Sequence, residues 1–366
     1  MMSLLNVENL AVTFKTYAGT IYAVNGVSFT VNKNETLVIV GESGCGKSVT
    51  AHSILRLLPG KKTRISENSK IIFEGKNLLE CSEKDMEKIR GGEISMIFQD
   101  PLSYLNPTMT IGNQIIESIL IHEKICKSKA KERAVKILEL VQIPNAEKRL
   151  KQYPYEFSGG MRQRVMIAIA LVCNPKILIA DEPTTALDVT IQAEILELIK
   201  KIQKETKTAV VLITHDLGVA AEIADRIQVM YAGEIIERGK TSDIFKNHKH
   251  PYTEALLASV PSIEQLKEKK LYAPEGGHPD MLEKIRGCAF APRCNKCMKI
   301  CLERKPLEIK INKEHFAACW LEHPAAKTIN NLTAEHENTF YNPKRIKASE
   351  KITHINENIE RTSENE

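Results

Sequence analysis

Gly41-Glu42-Ser43-Gly44-Cys45-Gly46-Lys47-Ser48 follows the apolar run Thr36-Leu37-Val38-Ile39-Val40 and precedes a helical pattern. Strand, glycine-rich turn and helix in that order are the context a phosphate-cradling loop needs. Glycines let the backbone wrap closely enough to aim several N–H groups at one phosphate. Lys47 then brings a full positive charge near the β- and γ-phosphates, and the Ser48 hydroxyl can ligate Mg²⁺. The following helix presents its N-terminus to the same anion. A bare glycine-rich turn is usually only a turn; all eight residues after a strand read as nucleotide binding.

Composition bounds the rest. At 366 residues the chain exceeds one comfortable core, so two or more domains are expected. Its 43% hydrophobic and 27% charged residues describe an ordinary globular protein, and a formal charge of +5 does not by itself indicate nucleic acid. Phosphate chemistry and an anionic membrane surface fit equally well. The longest apolar runs, around Val165–Cys173 and Lys176–Ala180, are too short to cross a bilayer. No basic segment followed by an apolar one opens the chain, so no secretory signal is expected. Of the 9 cysteines, Cys45, Cys81, Cys126 and Cys173 are scattered, while Cys288, Cys294, Cys297, Cys301 and Cys319 crowd together. Without an export signal, such a cluster is better read as holding metal than as a disulfide scaffold.

Along the chain, residues 5–40 alternate apolar and polar positions and predict strands, with another at Lys70–Leu79. From about 110 to 150 the spacing is helical: Ile111, Ile115, Ile116, Ile119, Leu120, then Ala134, Ile137, Leu138 and Val141. Strands are predicted at Ile177–Ala180 and Ala209–Ile213 with a helix, Ile191–Ile202, between them, which implies a parallel sheet. A hairpin is predicted around Ala232-Gly233. Composition shifts near Val260-Pro261-Ser262, and a Pro/Gly-bearing stretch, Ala273–Pro279, precedes the cysteines. From about Lys327 the chain is rich in Asn, Glu, Lys and Thr with little to bury, and is read as a disordered tail.

Further motifs accompany the loop. Ile177-Leu178-Ile179-Ala180-Asp181-Glu182 is an apolar strand ending in two carboxylates, Asp181 placed for the Mg²⁺ shell and Glu182 to polarise an attacking water. Phe157-Ser158-Gly159-Gly160-Met161 opens a helix with a hydroxyl and free N–H groups, a second anion site. Gln99 follows a strand and can reach the metal or its water; His215 sits just past another strand end, within reach of a γ-phosphate. Taken singly, each has a plain structural explanation: solvated acids, an ordinary helix cap, a stray Gln, a structural His.

In this order and spacing the motifs, with Thr185-Ala186-Leu187-Asp188 after the acidic pair, resemble the nucleotide-binding subunit of an ABC ATPase over residues 1 to about 260. The resemblance implies a P-loop α/β fold with a parallel-sheet core, an antiparallel β subdomain and a helical subdomain at about 102–160. It assigns Walker A to 41–48, with nucleotide contacts from Gly41, Ser43, Gly44, Cys45, Gly46, Lys47, Ser48 and Val49. The Q-loop falls at Gln99, the signature at 157–161, Walker B at 177–182, the D-loop at 185–188 and the switch at His215. Catalysis would then rest on Glu182, His215 and Gln99, and Mg²⁺ on Ser48, Gln99 and Asp181. Two such subunits stack head to tail, so Ser158, Gly159, Gly160 and Asp188 would serve the partner's ATP. The signature has Phe157 and Met161 where Leu and Gln are commonest. Tyr17 is the expected adenine-stacking aromatic, with Phe14 and Tyr22 as alternatives.

Three stretches look like the oligopeptide/dipeptide and nickel importers: Phe98–Pro107 with Thr110-Ile111-Gly112, Phe157–Arg164, and His250-Pro251-Tyr252-Thr253 with Leu256-Leu257. The resemblance makes Leu102–Thr110 the docking surface for a membrane subunit. It implies two transmembrane permeases, an extracytoplasmic solute-binding protein, a second ATPase forming a heterodimer, and a peripheral place on the cytoplasmic side of the membrane. Residues 261–325 resemble the C-terminal module of these subunits, which binds an iron–sulfur cluster in some members; Cys288, Cys294, Cys301 and Cys319 occupy its positions and Cys297 is extra. Four thiolates suit either [4Fe–4S] or Zn²⁺, and spacing does not choose between them. The rival reading, an ABC ATPase acting on nucleic acid or ribosomes, lacks its usual marks. The gap between loop and signature is short, one motif set is present, and the module has basic Arg293, Lys296 and Lys299 but no aromatic stacking platform. The cargo could be peptides, nickel complexes or another small solute; no nucleic acid is expected.

Overall fold

The computed structural model describes residues 3–100, 104–184, 188–259, 276–277 and 279–326. Val260-Pro261-Ser262, the stretch Ala273–Glu275, Thr185-Ala186-Leu187, Leu102-Ser103 and the polar tail from Lys327 lie outside them.

Five strands run parallel in the centre, in the order Arg226–Tyr231, Thr36–Val40, Ala209–Thr214, Ile177–Asp181, Ile94–Ile97. They are largely apolar because both faces are covered. Leu37 and Ile39 point into one apolar cluster and Val38 and Val40 into the other. Ile177 and Ile179 part from Leu178 and Ala180 in the same way. One face meets the N-terminal antiparallel sheet, in the order Gly19–Val31, Leu5–Thr16, Lys70–Phe73, Lys76–Asn77, with Thr63–Ile65 also paired to Leu5–Thr16. The other meets helices Ile111–His122, Lys127–Leu140, Gly159–Leu171 and Val189–Thr206.

Short polar side chains start these helices. Thr110, Ser158 and Asp188 accept from the amides of Asn113, Met161 and Ile191, each contact contributing about 1 kcal/mol. Gly159–Leu171 is largely buried, and Arg164 fixes it by donating to Val141 O, Gln142 Oε1 and Glu194 Oε2. The predicted hairpin joins Arg226–Tyr231 to Glu234–Lys240. Ala232 (φ 47°) and Gly233 (φ 82°) both take the left-handed conformation a tight two-residue hairpin turn demands.

The cysteine-bearing segment does not build its own core. Phe316–Ala317 adds to the sheet edge at Glu234–Lys240, and Ile309–Lys310 adds to Phe316–Ala317, both antiparallel. Phe290, Cys294, Cys297 and Cys301 share the larger apolar cluster with the helical face. His315 Nε2 meets Glu237 Oε1 at 2.8 Å with both side chains fully buried. Arg238 forks onto Glu308 at 2.5 and 2.7 Å. Among the described residues no helix is long and apolar enough to cross a membrane.

Candidate active site

Four of the parallel strands release their chains at the same end of the sheet. From Thr36–Val40 comes the 41–48 loop, from Ile94–Ile97 comes Gln99, from Ile177–Asp181 comes Glu182, and from Ala209–Thr214 comes His215. The carboxyl ends of parallel strands are where open α/β sheets bind ligands.

Close backbone approach explains the loop's glycines. A Cβ on Gly41 would stand 2.2 Å from Met230 O, and one on Gly46 2.4 Å from Ala23 O. Gly46, at φ 103°, precedes helix Lys47–Ile54 without any side-chain cap, leaving the helix N-terminus for an anion. The loop is tied to the hairpin by Gly233 N donating to Cys45 O at 2.8 Å. Lys47 is buried, and its Nζ donates to Gly41 O (2.8 Å) and Glu42 O (3.0 Å). Cys45 is buried too, and burial pushes its thiol up from the usual range. Val49 turns its side chain into the apolar cluster beneath the N-terminal sheet, which leaves only its backbone for a nucleotide.

Glu182 is the meeting point. Gln99 Nε2 donates to its Oε2 at 3.1 Å, His215 Nδ1 lies 3.4 Å from Oε1, and Lys47 Nζ lies 4.0 Å from Oε1. Its φ of 46° is strained for a side chain with a Cβ, as functional positions often are. Next door, Ser48 Oγ donates to Asp181 Oδ1 at 2.9 Å. Burial raises the Asp181 carboxyl, offset in part by that hydroxyl and by His52. Ser48 and Asp181 thus offer hard oxygen donors in contact, with Gln99 on the neighbouring Glu182, a donor chemistry that fits Mg²⁺. His52, whose Nε2 lies 3.7 Å from Asp181 Oδ2, escaped the sequence reading because it falls inside a helix with no motif of its own.

The remaining predicted residues stand apart. Ser158 is exposed and Gly159 opens onto free space, while Gly160 abuts Ile191, where a Cβ would come within 2.9 Å of Cγ2. Among the described residues, no hydrogen bond joins Ser158, Gly159, Gly160 or Asp188 to the 41–48 loop. Tyr17 is fully exposed at the turn between the first two strands; Phe14 packs against an apolar cluster and Tyr22 is half-buried.

All five clustered thiols are free, and four are buried, with Cys288 half-buried. Burial pushes Cys288 and Cys319 up to about 12 and Cys294 up to about 11. Backbone amides oppose that rise: Phe290 and Ala291 at Cys288, Lys296 at Cys294, Leu321 at Cys319. Cys301 is drawn down by the Cys297 thiol, helped by the amide of Met298. Sulfur is the donor class a thiophilic metal takes. Among the described residues, however, no three His, Cys, Asp or Glu side chains stand in a metal-ligating arrangement.

Residues 24–185 match the family model described as ABC transporter, and residues 236–301 match that of the oligopeptide/dipeptide transporter C-terminal region. The second match begins within the core hairpin and ends at Cys301, short of Cys319. An oligopeptide transport ATP-binding protein, OppD of Bacillus subtilis, is 54% identical over 326 residues, covering 89% of this chain and 91% of that protein. A dipeptide transport ATP-binding protein, DppD of the same organism, is 52% identical and covers 89% and 97%. Among solved structures, a dimeric ATP-binding cassette in a post-hydrolysis state with ADP and phosphate superposes with a TM-score of 0.58. It is 28% identical and covers 65% of this chain and 98% of its own.

Proposed function

This chain belongs to the ABC-transporter ATPases of the oligopeptide/dipeptide branch, and from that premise we propose how its residues power peptide import. It is an ATP-hydrolysing subunit of a peptide importer. The observation that carries the mechanism is the convergence of Lys47, Gln99 and His215 on Glu182, with Ser48 beside them on Asp181.

An incoming triphosphate takes Lys47 away from the Gly41 and Glu42 carbonyls, and the amides of 41–48 with the bare helix start cradle its phosphates. Ser48, Asp181 and Gln99 would hold Mg²⁺, which would supply positive charge to offset that of the phosphates. Glu182 accepts the proton of the attacking water, Gln99 orients that carboxylate, and His215 steadies charge at the γ-phosphate. Ser158, Gly159 and Gly160, unbonded to their own loop among the described residues, serve the ATP of a second ATPase in this reading, a different polypeptide. Closing and opening of the pair moves two transmembrane permeases, which receive cargo from an extracytoplasmic binding protein. The chain sits peripherally on the cytoplasmic side. The permease docks near the described residues 104–110, where Tyr104 stacks on Phe98 at 3.9 Å and Gln114 holds Asn106 by both backbone groups.

The test is uptake of labelled di- and oligopeptides by cells carrying either the native chain or its Glu182→Gln variant. Uptake lost in the variant is the expected result; undiminished peptide uptake, or loss of nickel uptake alone, overturns the peptide reading.

One further reading rests on the crowding of thiols within residues 288–319. We assign Cys288, Cys294, Cys301 and Cys319 to a thiolate-ligated centre, [4Fe–4S] in preference to Zn²⁺, stapling the module to the sheet edge. Colourless protein prepared without oxygen and carrying stoichiometric zinc would replace iron by zinc; absence of both metals would remove the centre.

A further inference from the structure

Glu42, the second residue of the phosphate loop, is held by two residues outside every nucleotide motif. Arg293 forks onto its carboxylate, Nη1 to Oε2 at 2.7 Å and Nη2 to Oε1 at 3.1 Å. The backbone amide of Glu42 donates to the Tyr252 hydroxyl at 2.9 Å. Its carbonyl accepts from Lys47 Nζ at 3.0 Å. The residue that Arg293 grips from outside is therefore the one that holds the phosphate-binding lysine from inside.

The grip itself is firmly set. Arg293 closes the single turn Ala291–Arg293, between Cys288 and Cys294, and its side chain is 7% exposed. Nη1 also reaches the Tyr231 hydroxyl at 3.3 Å, and the guanidinium stands 5.9 Å from the ring centres of Tyr231 and Phe290. Those rings and Tyr252 pack together, Tyr231 against Tyr252 at 4.6 Å and Phe290 against each at 5.4 Å. A planar fork is what a two-point carboxylate contact requires, and lysine does not reproduce it. Removing either partner leaves the other charge in a largely desolvated place.

We propose that Arg293 is a positioning residue for nucleotide binding, through which the cysteine module braces the phosphate loop and sets its affinity for ATP. The proposal rests on the reading of 41–48 as the ATP site. Glu42 lies where the chain leaves the strand Thr36–Val40, so fixing it there lowers the ordering cost a triphosphate must meet. The fork holds Glu42 and, through the Glu42 carbonyl, Lys47, so its effect is expected in binding of ATP more than in turnover of bound ATP.

The experiment uses the full chain, reading direct binding of a fluorescent ATP analogue alongside steady-state hydrolysis. Arg293→Ala is expected to raise both Kd and KM for ATP about five- to twentyfold while kcat stays within about twofold of native. Arg293→Lys should fall between the two, and Glu42→Gln with Arg293→Met together should be no worse than Arg293→Ala, since both act through one contact. A native Kd in Arg293→Ala, a fall in kcat at unchanged KM, or effects of the two sites that multiply would each overturn the proposal. Should Arg293→Ala prove insoluble, Arg293→Lys and Glu42→Gln decide by the same criteria. A native chain that fails to bind ATP would instead defeat the reading of the loop itself.

Discussion

The nucleotide site and the cysteine module stand on one eight-stranded sheet and are built on opposite plans. The first gathers charged and polar side chains at the open carboxyl ends of parallel strands, where they contact one another and leave room for a ligand. The second tucks thiols into an apolar cluster at the antiparallel edge of the same sheet. The charged groups stand where backbone direction leaves a gap; the thiols stand where packing closes it.

The sharpest test of that contrast is Glu182→Gln. Glutamine keeps the size and the contact with Gln99 but cannot take a proton, so phosphate release should fall about 10²- to 10⁴-fold while ATP still binds. Near-native hydrolysis would mean that another group is the base. No single change in the module should approach this effect on the chemical step.

On the closed side, pH is the lever. His250 is fully buried, caps helix Pro251–Ala258 through Nδ1 accepting from Tyr252 N, and is lowered by burial to about 4, with Glu237 opposing. The unfolded chain protonates this ring near its usual 6.5. Above that value both states hold it neutral and its contribution is fully present. As pH falls from 6.5 toward 4 only the unfolded state gains the proton, so stability is lost through that window, by on the order of 3 kcal/mol. Denaturant unfolding between pH 7 and 4.5 measures the loss, and His250→Asn, which can still cap, should flatten it. An equal slope in the variant would assign the pH dependence elsewhere.

These two regions also differ in how far their residues could be read without coordinates. The loop, the acidic pair, Gln99 and His215 were legible because phosphate chemistry restricts residue type and each sits at the end of a recognisable apolar strand. The hairpin was legible because Ala232-Gly233 interrupts two such strands. The graft of Phe316–Ala317 onto Glu234–Lys240 was not, since two-residue strands carry no periodicity. Nor was Arg293 on Glu42: a bidentate pair across 251 positions leaves no local pattern, and Arg293 read only as one basic neighbour of the cysteines. Sequence reading separated 261–325 as a module; its described residues share the larger apolar cluster with the helical face.

A smaller effect would separate the four thiols proposed as ligands from the extra one. Cys294→Ser should strip metal from protein purified without oxygen and lower its thermal midpoint by about 5 °C. Cys297→Ser should retain the metal, because the Cys297 thiol donates to Met298 O and lies outside the assigned four. If Cys297→Ser lost metal while Cys319→Ser kept it, Cys297 would replace Cys319, which lies beyond the matched C-terminal region.

The least effect is expected at Tyr17, and it bears on which face of the nucleotide site is still open. A fully exposed aromatic at a strand turn contributes nothing to the core, whereas Phe14 is engaged against apolar neighbours and Tyr22 donates its amide to Met281 O at 2.9 Å. We propose that Tyr17 is the ring that lies on adenine. Aromatic stacking of this kind is worth about 1 kcal/mol, so Tyr17→Ala should raise the KM for ATP about three- to tenfold and Tyr17→Phe should leave it unchanged. A ring that only stacks on the base acts on binding, so kcat should hold in both variants. An unchanged KM in Tyr17→Ala, together with a raised one in Tyr22→Ala, would move the adenine contact to the half-buried ring and bring that side of the site closer to the closed plan of the module.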